Sequence, residues 1–336
     1  MATTDLHMHL LGYDYFADRP SARMGLSRTA GLIARACQTA RNCLLFDNGD
    51  ALQGGPMGDY LAEKGNIIPQ QRHPAIAAMN ALRYDAATVG NHDFSFGLGF
   101  LRRTLEGVEF PIVSTNLRPR RPLPVQNHIL LERQFHDEHG QPQPIRIGVL
   151  GFLPPQTTEW EPDLKSEIEV QDILLAALYG IAALRRQGAH LIVVLSHSGI
   201  GPLAATPMSE NASTALAALP GIDVVIAGHT HRVFPSPDHP QVPGIDAARG
   251  TLAGNGRDAR LLGFSSGVGR SAAGTGGRGL AHHRFYLPCP TGGRRGRPSP
   301  YHRPRAYGTS PDASAFPPPH RPDRKAAEQL FRPDRR

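Results

Sequence analysis

Five short apolar runs constrain this chain more than any other feature: Cys43 to Phe46, Ala86 to Val89, Ile145 to Leu150, Leu191 to Leu195 and Asp223 to Ala227. Runs of this length, bounded by Gly, Asn or Asp, read as strands buried on both faces. Between them lie stretches with apolar residues three and four apart, roughly Leu26 to Arg41, Pro74 to Leu82, Leu98 to Leu105, Asp172 to Gln187 and Ser213 to Leu219, which read as helices. Strands alternating with helices place the chain in the α/β class. The segment Leu117 to Gly140, rich in Pro, Arg and His, reads as a long connection or a hairpin, and no internal repeat is present.

Four of the five runs end in a cluster of His, Asp and Asn. Asp47-Asn48-Gly49-Asp50 follows the first, Gly90-Asn91-His92-Asp93 the second, Ser196-His197 the fourth and Gly228-His229-Thr230-His231 the fifth. In open α/β sheets the crevice beyond the carboxyl ends of the strands is where ligands bind, so these loops are expected to converge. Asp5-Leu6-His7 fits a further cluster of the same kind. On an extended backbone Asp5 and His7 would share one side, as would His229 and His231. Carboxylate, imidazole and amide ligands together suit one or two borderline divalent metals such as Zn, Mn, Fe or Co rather than Ca or Mg. Two such ions about 3.5–4 Å apart can neutralise the oxygens of a phosphoryl group during in-line attack, which points to hydrolysis of a phosphate ester.

A lone His after a strand is usually a loop or core residue, and Asn-Gly and Asp-Gly pairs are usually turns. His9, Asp14, His73, His128, His136, His139 and His190 have no strand-end placement and are read that way, as are His239, His282, His283, His302 and His320 in polar sequence. Asp47 is read as a turn cap and Asp50 as the ligand. Five strand-end clusters in one chain are harder to dismiss than any one of them.

The 336 residues suffice for one large domain or two small ones. No run of about 18 uncharged apolar residues occurs, and the first residues carry neither a charged nor an apolar leader region, so no membrane anchor or signal peptide is expected. Cys37, Cys43 and Cys289 form no Cys-x-x-Cys pair and leave one over, so neither a disulfide framework nor a thiolate zinc site is indicated. Charge is uneven: residues before Asn255 hold 20 basic and 24 acidic side chains, whereas the 82 from Asn255 onward hold 16 and 5, with 11 Pro and 12 Gly. That composition predicts a disordered tail. Binding of a nucleic acid by it is disfavoured, because aromatic interleaving and any recognisable module are missing.

In order, Asp5-x-His7, Gly49-Asp50-x-x-Gln53-Gly54, Gly90-Asn91-His92-Asp93, Ser196-His197 and Gly228-His229-x-His231 resemble the calcineurin-like metallophosphoesterases. The strings Thr3-Thr4-Asp5-Leu6-His7, Asp47-Asn48-Gly49-Asp50, Gly151-Phe152-Leu153-Pro154-Pro155-Gln156 and His197-Ser198-Gly199 are similar to the 2′,3′-cyclic-nucleotide 2′-phosphodiesterase/3′-nucleotidase branch of the 5′-nucleotidase family, over about Thr3 to Gly254. The resemblance implies a four-layer αββα sandwich with two mixed sheets, two divalent ions, small nucleotide substrates and a periplasmic location, with a cytoplasmic one the alternative for the chain as written. It puts Asp5, His7 and His231 on one metal, Asn91, His197 and His229 on the other, with Asp50 bridging. His92, with Asp93 beside it, would act on the leaving oxygen. The 5′-nucleotidase branch has an Asp three residues after that His; here the position is Ser95, which favours the cyclic phosphodiesterase branch over the 5′-nucleotidase alternative.

Two departures from the family carry expectations of their own. Only Met1 to Thr4 precede Asp5, so the first strand is expected to be cut short and to give Asp5 and His7 less support. After Gly250 to Gly254 the chain stops resembling the family, and moving the codon frame by one base permits the family-like string AVMPGFWGSHLG from about Asn255. Residues 255–336 are therefore expected to be an out-of-frame, disordered tail, the base-binding second domain of the family to be absent, and an inactive product is the alternative outcome.

Overall fold

The computed structural model describes residues 1–22, 24–63 and 71–232, and beyond them three strands at Ile245–Asp246, Thr251–Leu252 and Ala259–Gly263. Four strands, β1 (Ala2–Thr3), β2 (Phe46–Asp47), β3 (Ala86–Thr88) and β4 (Ile112–Val113), lie side by side in that order and are parallel throughout. A second sheet contains β5 (Ile129–His136), β6 (Pro142–Phe152), β7 (Leu191–Ser196), β8 (Val224–Ala227), β9 (Ile245–Asp246), β10 (Thr251–Leu252) and β11 (Ala259–Gly263), in the order β9-β10-β11-β8-β7-β6-β5. It is mixed: β6, β7, β8 and β11 run parallel, while β5, β9 and β10 pair antiparallel with their neighbours.

Period-two alternation sorts the apolar side chains into three layers. Phe46, Ala86 and Val113 of the first sheet meet Ile129, Leu131, Ile147, Val149, Val193, Leu195 and Ile226 of the second, so the two sheets pack face to face. The other face of the first sheet, with Leu45, Ala87 and Ile112, is covered by α1 (Leu26–Thr39), α3 (Pro74–Leu82) and α4 (Gly97–Leu105) through Leu26, Ile33, Ile76, Met79, Leu98 and Leu101. The other face of the second, with Leu150, Ile192, Val194 and Val225, is covered by α5 (Ile173–Arg186) and α6 (Ser213–Ala217) through Ile173, Ala177, Leu184 and Leu216. This is the expected four-layer αββα sandwich. Of its two sheets, the seven-stranded one is mixed.

Local chemistry explains the helix limits. Asp172 caps α5 by accepting from the Leu175 N–H at 2.7 Å, and Arg185 and Arg186 occupy its last turn, where the helix dipole favours cations. Pro74 opens α3, which ends at Arg83 in the left-handed region. The helix α2 (Pro56–Ala62) falls outside the expected elements, because seven residues containing Pro and Gly show too little apolar periodicity. The segment Leu117 to Gly140 contains the hairpin strand β5, and the turn into β6 is held by Asp137 Oδ1, which accepts from the His139 and Gln141 N–H groups.

One expectation is corrected. Cys37, in the last turn of α1, and Cys43, beyond its end, are joined in a disulfide, a pairing that an odd cysteine count conceals. Despite its two residues, β1 leads into a well-supported segment: the N–H groups of Asp5, His7 and Met8 donate to the carbonyls of Gly49, Asp50 and Ala51 at 2.9, 2.9 and 3.1 Å. Within the segment expected to be a disordered tail, β11 pairs in parallel with β8 from Val224↔Arg260 to Ala227↔Gly263, since the edge of β8 offers unpaired backbone groups. The remainder of 255–336 lies outside the described residues. Among the described residues no helix is long and apolar enough to cross a membrane.

His73 behaves as a structural residue: its Nδ1 accepts from the Ala75 N–H at the start of α3, and its ring lies edge-on to Phe100. Burial pushes its pKa down from 6.5 to about 4. The folded chain therefore binds this proton less readily than the unfolded chain, so the stability it confers is present above pH 6.5 and is lost as pH falls toward 4. His73→Asn keeps a capping acceptor and removes the titration. Urea unfolding of the variant should show a shallower loss between pH 6.5 and 4, by up to about 3 kcal/mol; parallel curves for the two proteins would refute this.

Candidate metal centre

The strand ends of the two sheets meet in one crevice, and the contacts there run across the seam between the sheets. Asn48, after β2, donates from Nδ2 to the Ser196 carbonyl at the end of β7 (3.0 Å) and accepts at its own carbonyl from His197 Nδ1 (2.7 Å). The His229 N–H, after β8, donates to Asp5 Oδ2 at 3.2 Å. Asp5, Asp50 and His197 are fully buried and His7 nearly so, whereas His231 is exposed at the rim.

The backbone turns sharply at these residues. Asp5 (φ 52°), His7 (43°), Met8 (59°), Asp50 (57°), His229 (71°) and His231 (53°) all sit in the left-handed region, which non-glycine residues seldom visit. Asp5 with His7, and His229 with His231, therefore converge through strained turns rather than along one side of extended segments. Such strain gathers where the surrounding structure holds a functional geometry. Gly90 permits close approach: a Cβ there would stand 2.3 Å from Asp50 Oδ1 and 2.7 Å from the His197 ring.

Two groups of ligand-competent atoms result, Asp5-His7-His231 and Asp50-His197-His229, the atoms within each lying no more than 4.8 Å apart. Asp50 Oδ2 is 2.9 Å from His197 Nε2 and 4.0 Å from His7 Nε2, so it faces both groups. Its Oδ1 accepts from the His92 N–H at 2.8 Å. Asn91 Oδ1 is buried and accepts no hydrogen bond. His92 is half-buried and lies edge-on to His7 with ring centres 5.3 Å apart.

The donor set fits divalent ions. His197 Nδ1 faces the Asn48 carbonyl and His7 Nδ1 the Gln53 carbonyl (2.6 Å), so each Nδ1 carries its hydrogen and turns the Nε2 lone pair inward. There His197 Nε2 meets the Asp50 carboxylate, and His7 Nε2 meets His231 Nε2 at 3.0 Å. Lone pairs that close need a positive charge between them, a proton or a metal ion. Burial alone would lower the His197 pKa, but the charges of Asp50 and Asp5 push it up to about 10. Burial likewise opposes ionisation of Asp5, yet the hydrogen bond with His231 and the charge of His197 hold its carboxyl well below the usual range. The crevice thus draws in cationic charge. Asp47 is different: it accepts from Thr3 Oγ1 and the Gly49 N–H, and burial raises it to about 7, in keeping with a turn cap.

Asp93, expected beside His92, is engaged by backbone donors. It is buried, and its two oxygens accept from the N–H groups of Asp50, Gly90, Ala51 and Leu52 at 2.8–3.0 Å, tying the Asp50 loop to the Asn91 loop. Two neighbours escaped sequence reasoning altogether. Glu210 Oε1 lies 2.9 Å from His229 Nε2, and Trp160 stacks on the His229 ring with centres 5.5 Å apart and planes 24° apart. Neither follows a strand, so the strand-end signal does not reach them.

This sandwich, with its ligand groups at the seam, defines a metallophosphoesterase architecture. The chain belongs to the calcineurin-like phosphoesterase family, whose pattern matches residues 1–233. It is 41% identical over 258 residues to a 2′,3′-cyclic-nucleotide 2′-phosphodiesterase/3′-nucleotidase of Yersinia enterocolitica, covering 76% of this chain and 39% of that protein. It is 40% identical over 263 residues to the trifunctional nucleotide phosphoesterase protein YfkN of Bacillus subtilis, covering 76% of this chain and 18% of that one. A crystal structure of the calcineurin-like phosphoesterase YfkN superposes with a TM-score of 0.73 at 39% identity, over 79% of this chain and 80% of that chain. The chain therefore spans well under half the length of these curated relatives.

Replacing Asp93 by Ala leaves four buried N–H groups without an acceptor, each costing about 1–3 kcal/mol. Asp93→Ala should lose at least about 4 kcal/mol in thermal or urea unfolding, the range kept for broken buried networks. A loss below about 1 kcal/mol would show that the two loops are held otherwise.

Proposed function

We propose that this chain is a metal-dependent phosphoesterase that hydrolyses 2′,3′-cyclic nucleotides and nucleoside 3′-monophosphates. The observation that carries the reading is the pair of ligand groups facing each other across Asp50, with His92 edge-on to His7. The 39–41% identity to proteins named for those two activities supports the choice of substrate. Asp5, His7 and His231 would hold one ion, Asn91, His197 and His229 the other, and Asp50 would serve both. Zn, Mn, Fe and Co all suit these donors. When bound, two such ions supply charge neutralisation at the phosphoryl oxygens and a nucleophile at neutral pH.

The chain's own residues then do three things. The strained turns at Asp5, Asp50 and His229 fix the donor atoms before substrate arrives, so little reorganisation accompanies the reaction. The His92 N–H, donating to Asp50 Oδ1, places the imidazole beside the ligand groups. From there protonated His92 gives its proton to the departing ribose oxygen as the P–O bond breaks, a general-acid contribution worth about 10²–10⁴-fold. The Cys37–Cys43 disulfide favours an oxidising compartment, in agreement with a periplasmic location.

Hydrolysis of bis-p-nitrophenyl phosphate and 2′,3′-cyclic AMP by the full chain, with and without added Mn, tests the proposal. Activity should require metal, fall at least about 10²-fold in Asp50→Asn, and fall by about 10²–10⁴ in kcat in His92→Ala with Mn affinity unchanged. Faster turnover of 5′-AMP than of 3′-AMP would replace this reading by the 5′-nucleotidase alternative. Inactivity of the folded, Mn-loaded chain on both substrates would end it.

A further inference from the structure

The cover over His229 is built from the short helix Thr157–Trp160 and the loop that holds Glu210, which the proposed chemistry leaves unused. Glu210 meets His229 Nε2 at 2.9 Å from outside both ligand groups, and a carboxylate can only accept there, so Nε2 carries the hydrogen and the lone pair left to the ring is on Nδ1. Trp160 lies flat on the same imidazole. Both side chains are held from behind. The Glu210 carbonyl accepts from Ser198 Oγ, which in turn accepts from the Ala212 N–H at 2.8 Å, fastening this loop directly to His197-Ser198 at the end of β7. Gly199 is packed so tightly against Asn211 and Thr230 that a Cβ would stand 2.2 Å from one and 2.4 Å from the other. On the Trp160 side, Gln156 Nε2 donates to the Met208 carbonyl at 2.8 Å and joins the two segments.

We infer that Glu210 is a positioning residue for the metal position served by His229: it fixes the ring tautomer that leaves Nδ1 as the ligand atom, while stacked Trp160 prevents the ring from turning. This rests on the two-metal reading above. Carboxylates placed behind ligating imidazoles set both orientation and basicity, and their removal costs about 10- to 100-fold in metal affinity. The flat contact with Trp160 also gives the position its own reporter, because this is the only tryptophan in the chain.

Mn binding to the full-length protein, followed by calorimetry and by quenching of Trp160 fluorescence, separates the possibilities. The unaltered chain should bind two Mn ions. Glu210→Ala should weaken one of them by about 10- to 100-fold and leave the other unchanged, with Glu210→Gln recovering part of the loss because its amide oxygen still accepts. In a double-mutant cycle with His229→Ala, the Glu210→Ala substitution should add nothing, since its effect passes through that ring. Two unaltered Mn affinities in a folded Glu210→Ala, equal weakening of both sites, or full additivity with His229→Ala would overturn the inference. If Glu210→Ala does not fold, the Gln variant and its cycle with His229→Ala decide in the same way. Failure of the unaltered chain to bind two Mn ions would instead sink the two-metal reading, and this inference with it.

Discussion

The apolar layer between the two sheets fixes where every ligand-competent side chain can be. Phe46, Ala86 and Val113 can meet Val149, Val193 and Ile226 only when the sheets lie face to face. In that packing β2, β3, β7 and β8 end in one crevice, and the loops after them have nowhere else to go. A slip of one residue in any of these strands would exchange its inward and outward faces and carry its polar cluster off the seam. The metal chemistry is thus specified by hydrophobic registration some distance from it. The links across the seam, Asn48 to Ser196, His197 to Asn48 and His229 to Asp5, then hold the two halves to a fraction of a side chain's length.

What could be read from the sequence follows the same division. Strands such as Leu191–Ser196 and helices such as Pro74–Leu82 announce themselves through local periodicity, and the polar residues just after the strands announce the crevice. The inward direction of His7 and His197 was not legible, because it is set by carbonyls of Gln53 and Asn48, contributed by backbone that any residue possesses. Glu210 and Trp160 were hidden for a related reason: they reach His229 from a loop and a four-residue helix whose placement depends on Ser198, Gln156 and Met208, contacts with no sequence period. That Asp93 ties two loops together was not legible either, because only its four backbone donors reveal it. The disulfide illustrates the limit of counting, since three cysteines conceal one local pair.

The left-handed turns at Asp5, His7, Asp50, His229 and His231 place strain at the ends of otherwise regular strands. A chain free to choose would relax them, at a gain of order 1–3 kcal/mol each. They persist because the surrounding ladder over-determines them: the N–H groups of Asp5, His7 and Met8 are all taken by the loop after β2. Rigidity at the ligands is therefore a property of the neighbouring backbone more than of the ligands themselves.

The contact between His7 and His231 joins residues 224 positions apart, and each ligand group combines a residue from the first 50 with one from 229 or beyond. Local segments can form early, but neither group can close before β8 has docked on β7 and brought His229 and His231 to the seam. Long-range closure of this kind is paid in chain entropy before any contact rewards it, so it comes late in folding. A nascent chain therefore presents only scattered single ligands to the cell's metal pool, and the site comes into being in one step with the completed sandwich.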